Sequence, residues 1–292
     1  MPAARPRAFY VLAGFFALYV AFLYGPMLAI FTLSFQGPDG GLTFPMNGLS
    51  LHWFAKLFAG GGIVDIGVAL LRSLRLGLLV MALTVVLSVA AGMAFRKSFA
   101  GAGLLFYTAI ASLIVPSIIT SLGIALEFRL LDDFIHWLGF EDWTTGMGLY
   151  TSGLGAHLSW TLPFGLLIMV AIFNRFDPRL EEAARDLGAT PWQSFRHVVL
   201  PIILPSVVGI GLFGFTLSWD ELARSSQAIG AVNTLPLELQ GLTTTVTKPD
   251  IYALGTITSA VSFIAIFAGL FAIQALQRRQ SRRGSDAGSG MV

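Results

Sequence analysis

The sequence predicts an all-α membrane protein with six transmembrane helices and one short amphipathic helix outside them. Two observations carry that prediction. Of 292 residues, 55% are hydrophobic and only 12% charged, against about 25% charged in an ordinary soluble domain. The charges are also clustered, so that residues 8–38, 76–95, 98–126, 143–174, 198–219 and 251–277 contain no Asp, Glu, Lys or Arg. At about 1.5 Å per helical residue, each of these runs can cross a hydrocarbon core of roughly 30 Å.

The first run follows Arg5 and Arg7, as the core of a secretory signal would. It is longer than such a core and no small-residue cleavage site follows it, so it reads as a retained first helix. Residues 36–62 and 129–150 are irregular connections bearing Phe44, Trp53, Phe54, Trp137, Phe140 and Trp143; these aromatics fit an interfacial belt or contact with a solute. Pro26, Pro116, Pro163, Pro201 and Pro205 interrupt the first, third, fourth and fifth runs. Broken helices are tolerated in lipid where neighbours or a wet cavity satisfy the freed backbone groups, although Pro is also simply commoner in membrane helices. Pro201 and Pro205 are expected to mark a turn into the fifth span. After the sixth, residues 280–292 are rich in Ser, Gly and Arg and predict a disordered tail, leaving residues 1–279 as one membrane domain.

Six spans place both termini on one side, together with the 96–103 and 175–197 connections. That side carries twelve of the 18 basic residues (Arg5, Arg7, Arg96, Lys97, Arg175, Arg179, Arg185, Arg196, Arg278, Arg279, Arg282, Arg283) against five acids. The positive-inside rule makes it cytoplasmic. The formal net charge of +2 and the pI near 9.1 hide this asymmetry, which argues against nucleic acid as a partner.

Several chemistries are excluded. The chain has no cysteine, hence no disulfide, thiolate metal site or Cys nucleophile. It has no G-x-x-x-x-G-K-[ST] loop, so it cannot cradle ATP phosphates by that route. Its four histidines (His52, His136, His157, His197) are scattered, and H-E-x-x-H and G-x-S-x-G are missing; no metal site and no catalytic residue is expected. His157, inside the fourth run, is expected to bond a neighbouring helix. A secondary transporter would need repeated discontinuous helices and midplane ionisable groups, which the sequence does not display.

The informative stretch is EEAARDLGATPWQSFRHVVLPIILP, residues 181–205. Asp177 and Pro178 form a helix start, and Glu181 and Glu182 complement the positive end of the dipole. Leu180, Ala183, Ala184 and Leu187 fall at i, i+3, i+4 and i+7, a narrow apolar stripe, and Gly188 supplies a left-handed stop. Thr190 and Gln193 then form a capping box, with Pro191 at the first position of a second helix whose apolar face is Trp192, Phe195 and Val199. Two alanines make the stripe too small for a core. It fits a groove on another protein; the alternative, lying on the inner leaflet, would favour bulkier apolar residues and a basic polar face, whereas Glu181, Glu182 and Asp186 here oppose Arg179 and Arg185.

Glu182-Ala183-Ala184, then Gly188, then Leu200-Pro201 resembles the EAA loop of permease subunits in binding-protein-dependent ABC importers, over about residue 51 to the end of the sixth run. Phe215 to Glu221, Thr234-Leu235-Pro236 and Ala253 to Thr256 are similar to the spermidine/putrescine branch, less specifically, since permeases for amino acids and phosphonates read alike. The resemblance implies the type I importer permease (MetI-like) fold in a bacterial inner membrane. It implies a coupling helix seated in a cleft of a cytoplasmic ATPase dimer, with Glu181, Glu182, Ala183, Ala184, Arg185, Leu187, Gly188, Thr190 and Pro191 at that contact. It implies a second, different permease chain and a periplasmic binding protein, with lipid around the bundle. ATP and Mg would be held by the ATPase, with no cofactor in this chain.

For the solute, Asp220 and Glu221 end the fifth run, where acids either contact a cation or merely close a span. Trp219 can stack on an alkyl-ammonium group or anchor at the interface, and Trp160 lies near Pro163 in the fourth run. Arg224 departs from the polyamine pattern by setting a cation beside the acids, which leaves room for a zwitterion or an anion. Glu127 and Arg129 are expected to pair with each other.

Overall fold

The computed structural model describes residues 6–59, 65–245 and 249–288. Arg5, and the side chains of Arg279, Arg282, Arg283 and Asp286 that enter the charge asymmetry, lie outside what it describes. The described residues are almost wholly helical, and the chain divides into two compact units, residues 1–67 with 238–261 and residues 68–237 with 262–292.

In the first unit, α1 (Arg7–Leu33) is apolar on every side and remains one helix with Pro26 inside it. The connection to α2 (His52–Phe58) is organised by Gln36, which is fully buried; its side chain accepts the amide of Asn47 and donates to the carbonyl of Gly41. An isolated antiparallel bridge joins Gln36 to Leu49.

Next comes α3 (Ile66–Phe95), ten residues longer than the uncharged run that announced it, because Arg72 and Arg75 sit within its first turns. The third run is not one helix. It forms α4 (Ala102–Ala111) and the start of α5 (Ser117–Trp137), divided at Ser112–Pro116. Proline has no amide to donate and disfavours the helical conformation in the residue before it, so α5 restarts at Pro116. Among the described residues, five helices are long and apolar enough to cross a membrane: α1, α3, α6 (Ser152–Phe173), the Pro191–Trp219 helix and the Asp250–Arg278 helix.

Beyond α7 (Arg179–Asp186), the second helix of the charged segment begins as α8 (Pro191–Ser194), widens into a π-helical turn over Phe195–Val199 and continues as α9 (Leu200–Trp219). The expected turn at Pro201 and Pro205 is therefore absent; both prolines lie inside one continuous helix. A proline ring collides with the carbonyl four residues earlier, and a wider turn just ahead of Pro201 relieves that collision. Short helices α10 (Ser225–Ala228) and α11 (Leu235–Thr245) follow, and then α12 (Asp250–Gly288). This last helix takes in residues 280–288 of the tail for which composition predicted no stable structure. Extending an existing helix needs no new nucleus, so polar residues can follow an apolar span in helical form.

Packing in the second unit centres on α3, α6 and α9. Met169, Phe173, Val199, Ile203 and Ile210 form one buried apolar cluster, and Leu76, Val80, Leu149 and Ile229 another. Small residues let the backbones approach, as membrane interfaces require: a Cβ on Gly165 would stand 2.0 Å from Ser88 Oγ, and one on Gly214 would stand 3.2 Å from Thr84 Cβ. Between them Thr84 and Thr161 share a buried hydrogen bond of 2.8 Å.

Candidate functional site

Local sequence builds the α7–α8 turn. Asp177 Oδ1 accepts the amide of Arg179 at 3.0 Å, so the predicted cap forms, with α7 starting one residue later than expected. At the other end Gly188 has φ +87°; its amide donates to the carbonyl of Arg185, and the amide of Ala189 to that of Ala184. Those two bonds are the Schellman pattern, which needs a left-handed residue at this position. The Thr190–Gln193 capping box is complete in both directions, at 2.8 and 3.3 Å.

The apolar stripe of α7 turns outward, as its small size implied, but which residue turns inward could not be read from periodicity. Leu187 is 90% exposed and Leu180 46%, Ala183, Glu182 and Arg185 are exposed, and Trp192 stands out beside them, stacked on Phe195. The member of the helix that is buried is Glu181, 7% exposed. Its two carboxylate oxygens accept from the two terminal nitrogens of Arg96 at 3.0 and 2.6 Å, and that guanidinium lies 5.0 Å from the ring centre of Phe173 and 5.1 Å from that of Phe176. A bidentate pair flanked by rings is the strongest geometry open to these groups. Arg96, Phe173 and Phe176 were not singled out in the sequence; Arg96 registered only as part of the charge asymmetry. The outward surface includes a groove of about 440 Å³ lined among others by Ala184, Leu187, Gly188, Gln193 and His197.

The Arg96 hydrogen bonds hold the Glu181 carboxyl below the ordinary carboxylate range, against the opposing effect of burial. Because the folded value is depressed, this pair contributes stability that is full above the unfolded value and is lost as pH falls through the folded one. Glu181→Gln should therefore lower the melting temperature in detergent at neutral pH. The difference from the parent should shrink as the pH drops below about 4; a difference that stays constant well below that pH would refute the assignment.

At the far end of α9 the predicted residues separate. Trp219 is fully buried, stacked on Phe215 with ring centres 5.8 Å apart, so its face is closed to a solute and it does not stand at an interface as an anchor. Glu221 is buried as well, and one of its oxygens accepts the backbone amide of Arg224 at 2.8 Å. Arg224 is 1% exposed. Its side chain does not make an ion pair within the described residues; it donates to Ser117 and Ser159 hydroxyls and lies 4.9 Å over the Trp160 ring. The Ser121 hydroxyl donates to its carbonyl at 2.7 Å. Arg224 thus braces α5, α6 and α10 instead of neutralising Asp220. Burial works against its charge more strongly than the nearby Glu221 supports it. Trp160 has its face taken by Arg224, and its Nε1 is buried without a hydrogen-bond partner.

Two further contacts tie these helices to their neighbours. Pro163 cannot donate to the Ser159 carbonyl four residues earlier, and the Ser112 hydroxyl, at the break between α4 and α5, donates to that carbonyl instead. His157 bridges Ser218 of α9 at 2.8 Å and Ser225 of α10 at 2.9 Å, the interhelical role expected for it. Glu127 and Arg129 are both exposed and do not pair, since residues two apart on a helix face different ways. Of the substrate candidates only Asp220 remains open: it is exposed at the end of α9 with no ion pair among the described residues. The surrounding protein pushes its carboxyl above the ordinary range, with no cation acting in the other direction.

Residues 84–283 match the family model described as "Binding-protein-dependent transport system inner membrane component". The chain belongs to this family. Among curated proteins this permease is 29% identical over 265 residues to the spermidine/putrescine transport system permease protein PotC of Haemophilus influenzae, covering 88% of this chain and 94% of that one. It is also 29% identical over 272 residues to the putrescine transport system permease protein PotI of Escherichia coli K12, covering 90% and 92%. Among solved structures, a chain of a bacterial ABC transporter involved in import of the acidic polysaccharide alginate superposes with a TM-score of 0.63 at 15% identity, over 93% of this permease and 95% of that chain. A chain of the inward-facing MetNI methionine ABC transporter gives 0.54 at 18%, over 72% and 95%. At such identities the likeness shows the fold: this is an all-α, multi-pass inner-membrane permease of the type I importer class.

Proposed function

We propose that this permease is one transmembrane subunit of an ATP-driven importer, and that its solute is a polyamine. The observation that carries the first part is the outward-turned surface of α7. An eight-residue helix, capped at both ends, buries one of its three acids, Glu181, within its own chain and offers Leu180, Ala183 and Leu187 outward, with Ala184 half-buried in the groove beside them. A helix that exposes its apolar side beside a groove fits insertion into a cleft on another protein. We assign that cleft to an ATPase dimer, with ATP and Mg bound there, and α7 to the coupling helix. Glu182 and Arg185, exposed at the rim, meet polar groups of the ATPase; Gly188, Thr190 and Pro191 fix the angle at which α8 leaves.

In this reading the third of six crossings is made by α4 and α5 together, both termini are cytoplasmic, and residues 1–279 form the membrane domain. A second permease chain of different sequence completes the pore, and a periplasmic binding protein delivers the solute to its outer mouth. A bacterial alginate ABC transporter of the same fold has been solved in complex with an alginate pentasaccharide-bound periplasmic protein, which supports that partner by analogy of fold.

The polyamine assignment rests on the names of the relatives and on Asp220. A carboxylate at the end of a span, with no cation beside it, is suited to an ammonium group, which would also offset the desolvation by surrounding protein that opposes its ionisation. Asp220→Asn, reconstituted with its ATPase and binding protein, should take up spermidine or putrescine about tenfold more slowly, the scale of one charge-assisted hydrogen bond. Unchanged uptake would remove Asp220 from the pathway. Stimulated uptake of an amino acid or phosphonate instead would replace the polyamine.

A further inference from the structure

We propose that Arg96 and Glu181 are the inner attachment of the coupling lever: positioning residues that make a displacement of α7 a displacement of the ends of α3 and α6. This rests on α7 being the coupling helix and goes beyond it, because docking concerns the exposed side of the helix and transmission concerns the buried one. A short helix joined to the bundle by flexible connections could swing in an ATPase cleft without moving the pore. What prevents that must be a stiff contact on the side of α7 that faces its own chain.

Among the described residues, one ion pair joins α7 to another helix of the bundle. Glu181 is the buried residue of α7 and its partner is 85 positions away, at the terminus of α3. Both oxygens are engaged, which fixes the carboxylate in rotation as well as distance. The guanidinium is in turn held by Phe173, the last residue of α6, and by Phe176 beyond it, with Met93 Sδ also within 3.6 Å. Arg96 follows the last residue of α3, where its charge also complements the dipole of that helix. One ion pair therefore ties together the coupling segment and the ends of two membrane helices. The remaining ion pair of α7, Arg185 with Glu181, is long at 3.9 Å, exposed on the Arg side, and internal to the helix. It cannot transmit anything to the bundle.

Two features distinguish this role from simple stabilisation. A lysine at position 96 would keep the charge but lose the fork, and an exchange of the two residues would keep the pair but reverse its polarity. Transmission follows the geometry of the fork; general stability follows burial and net charge.

The test uses the reconstituted transporter with its ATPase and binding protein, comparing the parent, Glu181→Gln, Arg96→Lys and the exchanged Arg96→Glu/Glu181→Arg chain. Three quantities are read: ATPase retained on the purified permease, ATP hydrolysed, and putrescine taken up per ATP. We expect Glu181→Gln to retain ATPase and hydrolyse ATP while uptake per ATP falls about tenfold, within the usual span of coupling between sites. Arg96→Lys should fall between that variant and the parent, and the exchange, which restores the two-oxygen pair but forfeits the ring contacts and the dipole match of Arg96, should recover only part of the loss. Uptake per ATP equal to the parent in assembled Glu181→Gln overturns the proposal, as does recovery by Arg96→Lys to the parent value.

If Glu181→Gln does not assemble, Lys97 and Asp186 provide a second measurement in the exchanged and Arg96→Lys chains. Both are exposed and the chain has no cysteine of its own, so spin labels can be placed there without background. The distance between them should be the same with and without ATP in the parent and should vary with nucleotide in Arg96→Lys; a constant distance in both overturns the proposal. Failure of the parent itself to retain an ATPase would instead refute the coupling reading on which this one rests.

Discussion

Replacing Gly188 by valine yields a permease that still inserts, still binds its ATPase, and imports at least about tenfold less solute per ATP. The reason is confined to the backbone. A Cβ at this position would meet nothing within 4 Å, but the residue sits at φ +87°, where a β-branched side chain costs on the order of 1–3 kcal/mol. The two Schellman bonds to Ala184 and Arg185 depend on that conformation. Without it the last turn of α7 must unwind or rotate, and α8 departs at another angle, so Leu187 and Trp192 no longer present one surface. Such strain is too small and too local to unfold a bundle of several long helices. Gly188→Asn is the control: asparagine tolerates the left-handed region, and most of the transport should return. Uptake per ATP at the parent value in Gly188→Val would show that the geometry of this turn does not matter to coupling.

The second large effect lies inside the bundle. Gly165→Ala brings its Cβ to 2.0 Å from Ser88 Oγ, 2.9 Å from Ser88 Cβ and 3.2 Å from Ile210 Cγ2, so α3, α6 and α9 must move apart. Overpacking of this kind costs about 1–3 kcal/mol. The melting temperature in detergent should fall clearly, and a bulkier Leu should prevent accumulation of folded protein. Ser88 also offers the cure. Its hydroxyl is buried without a partner, so removing it forfeits no hydrogen bond and relieves an unsatisfied group. Ser88→Gly in the Gly165→Ala background should recover most of the loss, while Ser88→Ala alone should leave stability equal or higher. Gly165→Ala with an unchanged melting temperature would contradict the packing of α3 on α6.

These two positions mark what a reader of the sequence can and cannot see. Gly188 was legible because everything that demands a glycine there lies within five residues: the end of an apolar stripe, a polar helix behind it and a new capping box ahead. Gly165 carried no signal, since its neighbour Ser88 is 77 positions away and both sit in featureless apolar runs. The same division separates the caps from the contacts. Asp177, Gly188, Thr190 and Gln193 perform the roles their spacing predicts. Trp219, which by position should stand at an interface, is instead enclosed by α9 and its surroundings, and Arg224, expected to neutralise an acid, reaches serines on two other helices.

Where prolines were concerned, the sequence located the perturbations but not their form. Pro116 divides a run in two; Pro163 is absorbed because Ser112 accepts the duty of bonding the freed Ser159 carbonyl; and Pro201 is absorbed by a π turn. All three have the same local chemistry, a missing amide and an intrusive ring. Which outcome follows depends on what the neighbouring helix supplies.

By itself the sequence determined helicity, the apolar spans, the asymmetry of charge and the design of the α7–α8 turn, because each is set by solvent transfer or by groups a few residues apart. Tertiary structure alone decided that Glu181 turns inward to Arg96, that Arg224 braces and Asp220 stays open, and that small residues meet between α3 and α6. Those outcomes are pairings between residues dozens of positions apart, and no local periodicity encodes which distant partner arrives.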